Sequence, residues 1–228
     1  YNTYGANASL SGSPQGKMSG PYFRASGFYQ KSDGYISTAE SARTPYTTDR
    51  FLEEANGALT LGYRVNPDHR IEATGSYYND KRGEGTKIQA PDGVSRDFDT
   101  ANLSLLYQGG IRDLRWEIKG YYQLEDYRRV SETLRGTTYT RFDVQSDREE
   151  RGLLFHVSKN VFSNNRLTLG ADVKQGRIDG QDQYKTSPDY TRNTGKLDLY
   201  GLYLQDEADL FDGRLNLLGG VRYDYAKF

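Results

Sequence analysis

The chain has 228 residues, 35% of them hydrophobic, with 30 basic and 31 acidic side chains and a formal charge of -1, so no net field draws it to nucleic acid or an anionic surface. It has no cysteine, which excludes a disulfide framework, a thiolate metal site and a cysteine nucleophile, and no run approaches the roughly 18 apolar residues of a membrane helix. Low apolar content alone would suggest disorder, but 20 Tyr, 9 Phe and 1 Trp are too many aromatics for that reading; with 25 Gly and 6 Pro they suit strands with one apolar and one wet face.

Taken in chain order, Tyr1-Asn2-Thr3-Tyr4 shows neither the basic nor the apolar region of a secretion signal, so the chain is expected to be processed or internal. Strands are expected from near Thr3, Tyr22 and Phe51, and clearly from Arg70, where Arg70, Glu72, Thr74 and Ser76 oppose Ile71, Ala73, Gly75 and Tyr77. After a strand near Phe98, the run from Asp113 alternates fully. Arg115, Glu117 and Lys119 share one parity, Trp116, Ile118 and Tyr122 the other. Further strands are expected near Val144, from Arg166 (Leu167, Leu169, Ala171 and Val173 against Thr168, Asp172 and Lys174), near Lys196, and from Arg214, where Leu215, Leu217, Val221 and Tyr223 oppose Arg222 and Asp224. That makes about ten strands, each of roughly a dozen residues, longer than the usual five or six.

Tight turns are predicted at 13–17, Asn66-Pro67-Asp68, 109–113, Ser163-Asn164-Asn165 and Phe211-Asp212-Gly213. Long polar links are predicted at 32–48, 83–96, 131–138 and 180–195. Short and long connections alternate, as in an outer-membrane barrel with tight periplasmic turns and long outer loops. A soluble, carbohydrate-binding β-sandwich is the alternative, but its strands are shorter and its core prefers Ile, Leu and Val over Tyr, Gly and Ala.

The run GLYLQDEADLFDGRLNLLGGVRYDY at 201–225 resembles the later barrel strands of TonB-dependent outer-membrane receptors. YNTYGANASLSG at 1–12 and YFRASGFYQKSDGYI at 22–36 resemble their early strands. The resemblance implies an all-β fold, an antiparallel transmembrane β-barrel of which residues 1–228 supply about ten meandering strands of a twenty-two-strand type. It implies a barrel wall without the plug domain, set in outer-membrane lipid of a Gram-negative cell, completed by a plug and further strands, coupled to TonB through an amino-terminal part, and importing a siderophore, cobalamin or oligosaccharide. No cofactor, nucleic acid partner or catalytic residue is implied.

Candidate wall residues facing the lumen are Arg115, Glu117, Lys119, Arg166, Asp172, Lys174, Arg222 and Asp224, which could meet a plug or a ligand or simply pair across strands. Tyr46, Tyr139, Tyr184 and Tyr190, expected in or near outer loops, could stack on a flat solute or pack the loops together. Tyr22, Phe28, Tyr63, Tyr107, Trp116 and Tyr225 are candidates for interfacial girdles. His69 is expected exposed at the rim and His156 on the lumen face, without metal-ligand spacing between them. Asp179 and Asp182 lack the spacing of a calcium loop, and Gly109-Gly110 and Gly219-Gly220 mark close strand packing or bulges, since no helix follows them as in a phosphate loop. A self-contained ten-strand enzyme of the omptin type, using His156 and an acid at the outer rim, shares the strand count but none of its motifs.

Overall fold

Alternation places every second side chain on one side of a pleated strand, so a chain with this pattern lowers its free energy by pairing strand to strand. The computed structural model describes all residues except 1, 15–18, 163, 212 and 213. It contains β1 (Thr3–Gly12), β2 (Gly20–Ser32), β3 (Leu52–Asn66), β4 (His69–Gly83), β5 (Ser95–Ile111), β6 (Leu114–Arg135), β7 (Thr138–Phe162), β8 (Asn165–Tyr184), β9 (Tyr190–Leu210) and β10 (Leu215–Lys227). A short 3-10 turn, Glu40–Ala42, lies between β2 and β3. All ten strands form one sheet in sequence order, each antiparallel to the next.

The connections at one end are tight. Pro67 and Asp68 join β3 to β4, with the Asp68 N–H donating to Asn66 Oδ1 at 2.9 Å, and Arg112, in the left-handed region at φ 52°, joins β5 to β6 with Asp113. The turns expected at 13–17, Ser163-Asn164-Asn165 and Phe211-Asp212-Gly213 fall partly outside the described residues. At the opposite end lie the long links 33–51 and 84–94.

Two of the predicted long loops are corrected. Residues 131–135 belong to β6 and Thr138 opens β7, so only Gly136 and Thr137 intervene, Gly136 at φ 59° as a two-residue hairpin demands. Likewise 180–184 continue β8, and β9 starts at Tyr190. Strands β6 and β7 therefore reach 22 and 25 residues, about twice the 9–11 that cross a bilayer. Polar side chains occupy both faces there, so alternation of apolar with polar disappears although the ladder does not.

No sandwich interior exists among the described residues. The buried hydrophobics are only Ala90 and Val94, while Leu61, Leu103, Leu105, Leu153 and Leu202 are each more than half exposed. The sheet places its apolar side chains on one open face, which overturns the sandwich alternative.

Candidate functional site

Register sorts the two faces. Directly paired residues of adjacent strands share a side, so Gln108–Glu117–His156–Gly170–Tyr203–Arg222 traces one row of the polar face. All eight wall candidates lie on that face. Arg115 pairs with Asp68 of the β3–β4 turn, and Glu117 accepts from Gln108. Lys174 meets Glu150 at 2.6 Å, where the Tyr121 hydroxyl also donates at 2.9 Å. Arg222 joins Asp172 at 2.9 Å and Asp224 at 2.7 Å. Gly201 leaves room for that cluster, since a Cβ there would push the Arg222 guanidinium aside. Arg166 donates to Ser158 at 3.3 Å. Lys119 lies in register between Leu106 and Leu154 and has no ion partner among the described residues.

The opposite face is banded. Its lower part carries Leu59, Leu61, Ile71, Ala73, Leu103, Leu105, Ile118, Leu153, Phe155, Leu167, Leu169, Leu202 and Leu204 in matching registers. Aromatic rings bound it: Tyr63, Tyr107 and Trp116 near the tight turns, and Tyr29, Tyr77, Tyr122, Tyr200 and Tyr225 toward the loop end. Tyr29 and Tyr77 donate to Glu53 at 3.0 Å and Asp99 at 2.6 Å, the first carboxylates beyond the band. Two girdle candidates are corrected: Tyr22 and Phe28 sit on the polar face, opposite Gly62 and Asn56 in register, and the Tyr22 hydroxyl donates to Glu72 at 2.5 Å. A strand-end position alone does not reveal face when the flanking residues are Gly, Ser and Ala.

At the loop end the four tyrosines do not form one surface. Tyr46 lies in the 33–51 link, where its carbonyl accepts the Lys87 N–H at 2.8 Å. With the Thr48 N–H to Gly85 carbonyl bond at 3.1 Å and the Thr47–Thr86 bridge, this ties the two long links together. Tyr184 is on the polar face with its ring 5.4 Å from that of Phe142. Tyr190 is on the other face and 55% exposed. Tyr139 donates its hydroxyl to Glu132 at 2.9 Å.

Glu132 is the residue that sequence reasoning missed. It is 3% exposed, and its carboxylate accepts the backbone N–H groups of Ile88 at 2.6 Å, Gln89 at 2.9 Å and Ala90 at 2.9 Å. It thus clasps the β4–β5 link onto the tip of β6. Burial by itself would raise its pKa, but the three N–H donors and Tyr139 outweigh burial and hold the carboxyl below its ordinary value. A glutamate between Ser131 and Thr133 in a polar stretch carries no signal of this role.

His69 opens β4 on the apolar face, its Nδ1 2.9 Å from the Tyr107 hydroxyl and its ring edge-on to Trp116 at 5.7 Å. His156 stands between Glu117 and Gly170 on the polar face. Asp179 pairs with Arg192 at 2.7 Å, and Asp182 projects to the other face, so the two acids do not converge. Among the described residues no cluster of His, Cys, Asp and Glu could hold a metal. Gly109 and Gly110 sit beneath Trp116 and Arg115 in unbroken register, so close packing and not a bulge explains them.

Residues 29–228 match the family model described as TonB dependent receptor-like, beta-barrel. A search of curated proteins finds no match. Among solved structures, the copper transporter OprC is similar at 20% identity and a TM-score of 0.70, over 99% of this chain and 37% of its own. The ferripyoverdine receptor of the outer membrane of Pseudomonas aeruginosa, bound to ferripyoverdine, aligns at 12% identity and 0.76, over 99% and 36%. The ferric yersiniabactin uptake receptor FyuA from Yersinia pestis aligns at 14% and 0.72, over 99% and 37%. The chain therefore spans a little over a third of the length of these structures. Its one meandering sheet of antiparallel strands is the fold of part of their barrels, and the chain belongs to the TonB-dependent receptor β-barrel family.

Proposed function

We propose that residues 1–228 form part of the wall of an outer-membrane receptor that binds a scarce solute at its outer loops and admits it to the periplasm by energy-coupled transport. The banded outer face supports this most directly: an apolar stripe edged by tyrosines is what a strand wall needs in lipid, while the opposite face is laced with ion pairs suited to a water-filled interior. Tight turns then lie on the periplasmic side and the 33–51 and 84–94 links outside. Arg222, Asp172, Asp224, Lys174 and Lys119 line the interior, where a plug domain elsewhere in the receptor would rest. Tyr46 and Tyr190 offer exposed rings at the outer end for a flat solute, whereas Tyr139 and Tyr184 pack the outer structure. The siderophore and copper named for the similar structures define the first solutes to try, with cobalamin and oligosaccharides after them.

The test is uptake in the native host with and without the gene encoding this chain. Accumulation of one radiolabelled solute from a panel of ferric siderophores, copper, cobalamin and oligosaccharides should fall to background in the disrupted strain, return with the intact gene, and stop on addition of a protonophore. Unchanged accumulation across the panel, or uptake indifferent to the protonophore, would sink the reading.

A further inference from the structure

Along most of the polar face the cations are neutralised within the sheet. Arg82 pairs with Asp80 at 2.7 Å, Arg129 with Glu84 at 3.0 Å, Arg148 with Glu125 at 2.9 Å and Arg222 with Asp172 at 2.9 Å. The tight-turn end of β2 to β4 breaks this pattern. Register sets Arg64 of β3 directly opposite Arg70 of β4, a like-charge pair that a sheet disfavours. Arg70 has partners, Glu72 at 3.4 Å and Gln108 at 2.5 Å. Arg64 has no ion pair among the described residues and leans over the Tyr22 ring, its guanidinium carbon 5.9 Å from the ring centre. Arg24 of β2, on the far side of Tyr22 in register, has neither an ion pair nor a hydrogen bond among the described residues.

The three arginines line one groove of about 360 Å³ with Ser11, Ser13 and Glu72. Glu72 is the one carboxylate in that lining, and it is already engaged by the Tyr22 hydroxyl at 2.5 Å and by Arg70. The neighbouring acids are engaged too, Asp68 by Arg115 and Glu117 by the Gln108 amide. Residues 15–18, between β1 and β2, contain no acidic side chain. Gly62 seats the Tyr22 ring, since a Cβ there would push the ring aside. A guanidinium over that ring keeps the N–H donors at its edge free, and Ser11, in register beside Arg24, adds a hydroxyl donor.

We infer that this groove binds an oxyanion, the carboxylate or phosphate group of a small solute, at a site separate from the outer loops. Two free guanidiniums and a hydroxyl supply the donors that such a group needs, and the planar fork of arginine fits its oxygens in pairs. Both free arginines are exposed, so water screens their charge while the groove is empty. The groove can therefore stand open between passages, which suits a transient solute better than a permanent partner. On the membrane placement proposed above it lies at the periplasmic end of the interior, where a solute captured outside arrives last. The inference rests on that transport reading and selects within it, favouring anionic solutes over neutral oligosaccharides.

The full-length receptor containing this chain is purified in non-ionic detergent and titrated with inorganic phosphate at low ionic strength by isothermal calorimetry. The wild type should bind phosphate saturably, and R24Q/R64Q should weaken that binding at least roughly tenfold. R148Q, which removes a paired arginine of the same face, should leave it unchanged, and added sodium chloride should weaken it in the wild type. Absence of saturable binding, as when a carboxylate of the receptor itself fills the groove, would overturn the site. Equal affinity in R24Q/R64Q, or equal loss from R148Q, would do the same. Heat-modifiable gel mobility confirms that each variant is folded. A receptor that imports a panel solute but binds phosphate no better than R24Q/R64Q sinks only the groove. One that binds phosphate as expected yet imports nothing from the panel sinks the transport reading, and the solute as occupant with it.

Discussion

The lower halves of β6 to β9 and their upper halves are the same ladders carrying different chemistry. Below, one face is apolar and the other ionic; above, both faces are polar and held by cross-strand pairs such as Arg148–Glu125 at 2.9 Å and Arg192–Asp179 at 2.7 Å. The difference teaches that backbone pairing is indifferent to its surroundings, whereas side chains record them. On the membrane placement proposed above, the lower wall meets hydrocarbon and the upper wall stands in water.

The largest effect expected from that division comes from placing a charge in the band. Leu105→Arg, on the apolar face of β5 midway between the Tyr107 and Tyr122 levels, should destabilise the refolded receptor by about 2–4 kcal/mol, the cost of a charge near the bilayer midplane. Gln145→Arg, on the same face above the band, should stay within about 0.5 kcal/mol. Denaturant titration in lipid vesicles measures both, and equal costs would erase the boundary. Next in size is the clasp. Glu132→Ala leaves three backbone N–H donors of 88–90 without their acceptor and should cost about 1–3 kcal/mol of local stability, read as faster hydrogen exchange across 84–94 with the band unaffected.

The same carboxylate sets the sign of a pH response. Its folded pKa is depressed, so its contribution is fully present above the unfolded glutamate pKa and is lost as pH falls through the lower folded value. Exchange protection of 88–90 should therefore weaken on acidification in the wild type and show no such dependence in Glu132→Gln. The smallest effect belongs to the exposed pairs of the upper wall: Arg192→Ala should change stability by no more than about 1 kcal/mol, and raised salt should shrink even that. A larger loss would mean that the upper wall depends on its ion pairs more than its exposure allows.

This contrast also explains what could be read from residues alone. The runs from Arg70, Asp113, Arg166 and Arg214 announce strands because one face of the sheet there is apolar and the other polar, so every second side chain is apolar. The stretches 131–135 and 180–184 continue the same strands, but Ser131, Glu132 and Thr133, or Gly180, Gln181 and Asp182, look like loop because neither face of the sheet is apolar there. The wall candidates all fell on one face for the same reason. Arg115 and Lys174 alternate with apolar neighbours, so parity alone assigns them. Tyr22 and Phe28 escape that rule because an aromatic ring suits either face. The clasp of Glu132 on 88–90 depends on how the β4–β5 link folds against the tip of β6, a long-range contact that no single stretch of sequence announces.

The two-residue turn at Gly136 and Thr137 has a mechanical meaning. A hairpin of this kind, with arms of about 70 and 80 Å, has no slack at its tip, and a push there must travel down the ladder as bending or twist. The 84–94 link is lashed to this mast by Glu132, and the 33–51 link is tied to it in turn. Displacing either link would load the arms of β6 and β7, so the hairpin passes strain from the loop end of the sheet into its banded part.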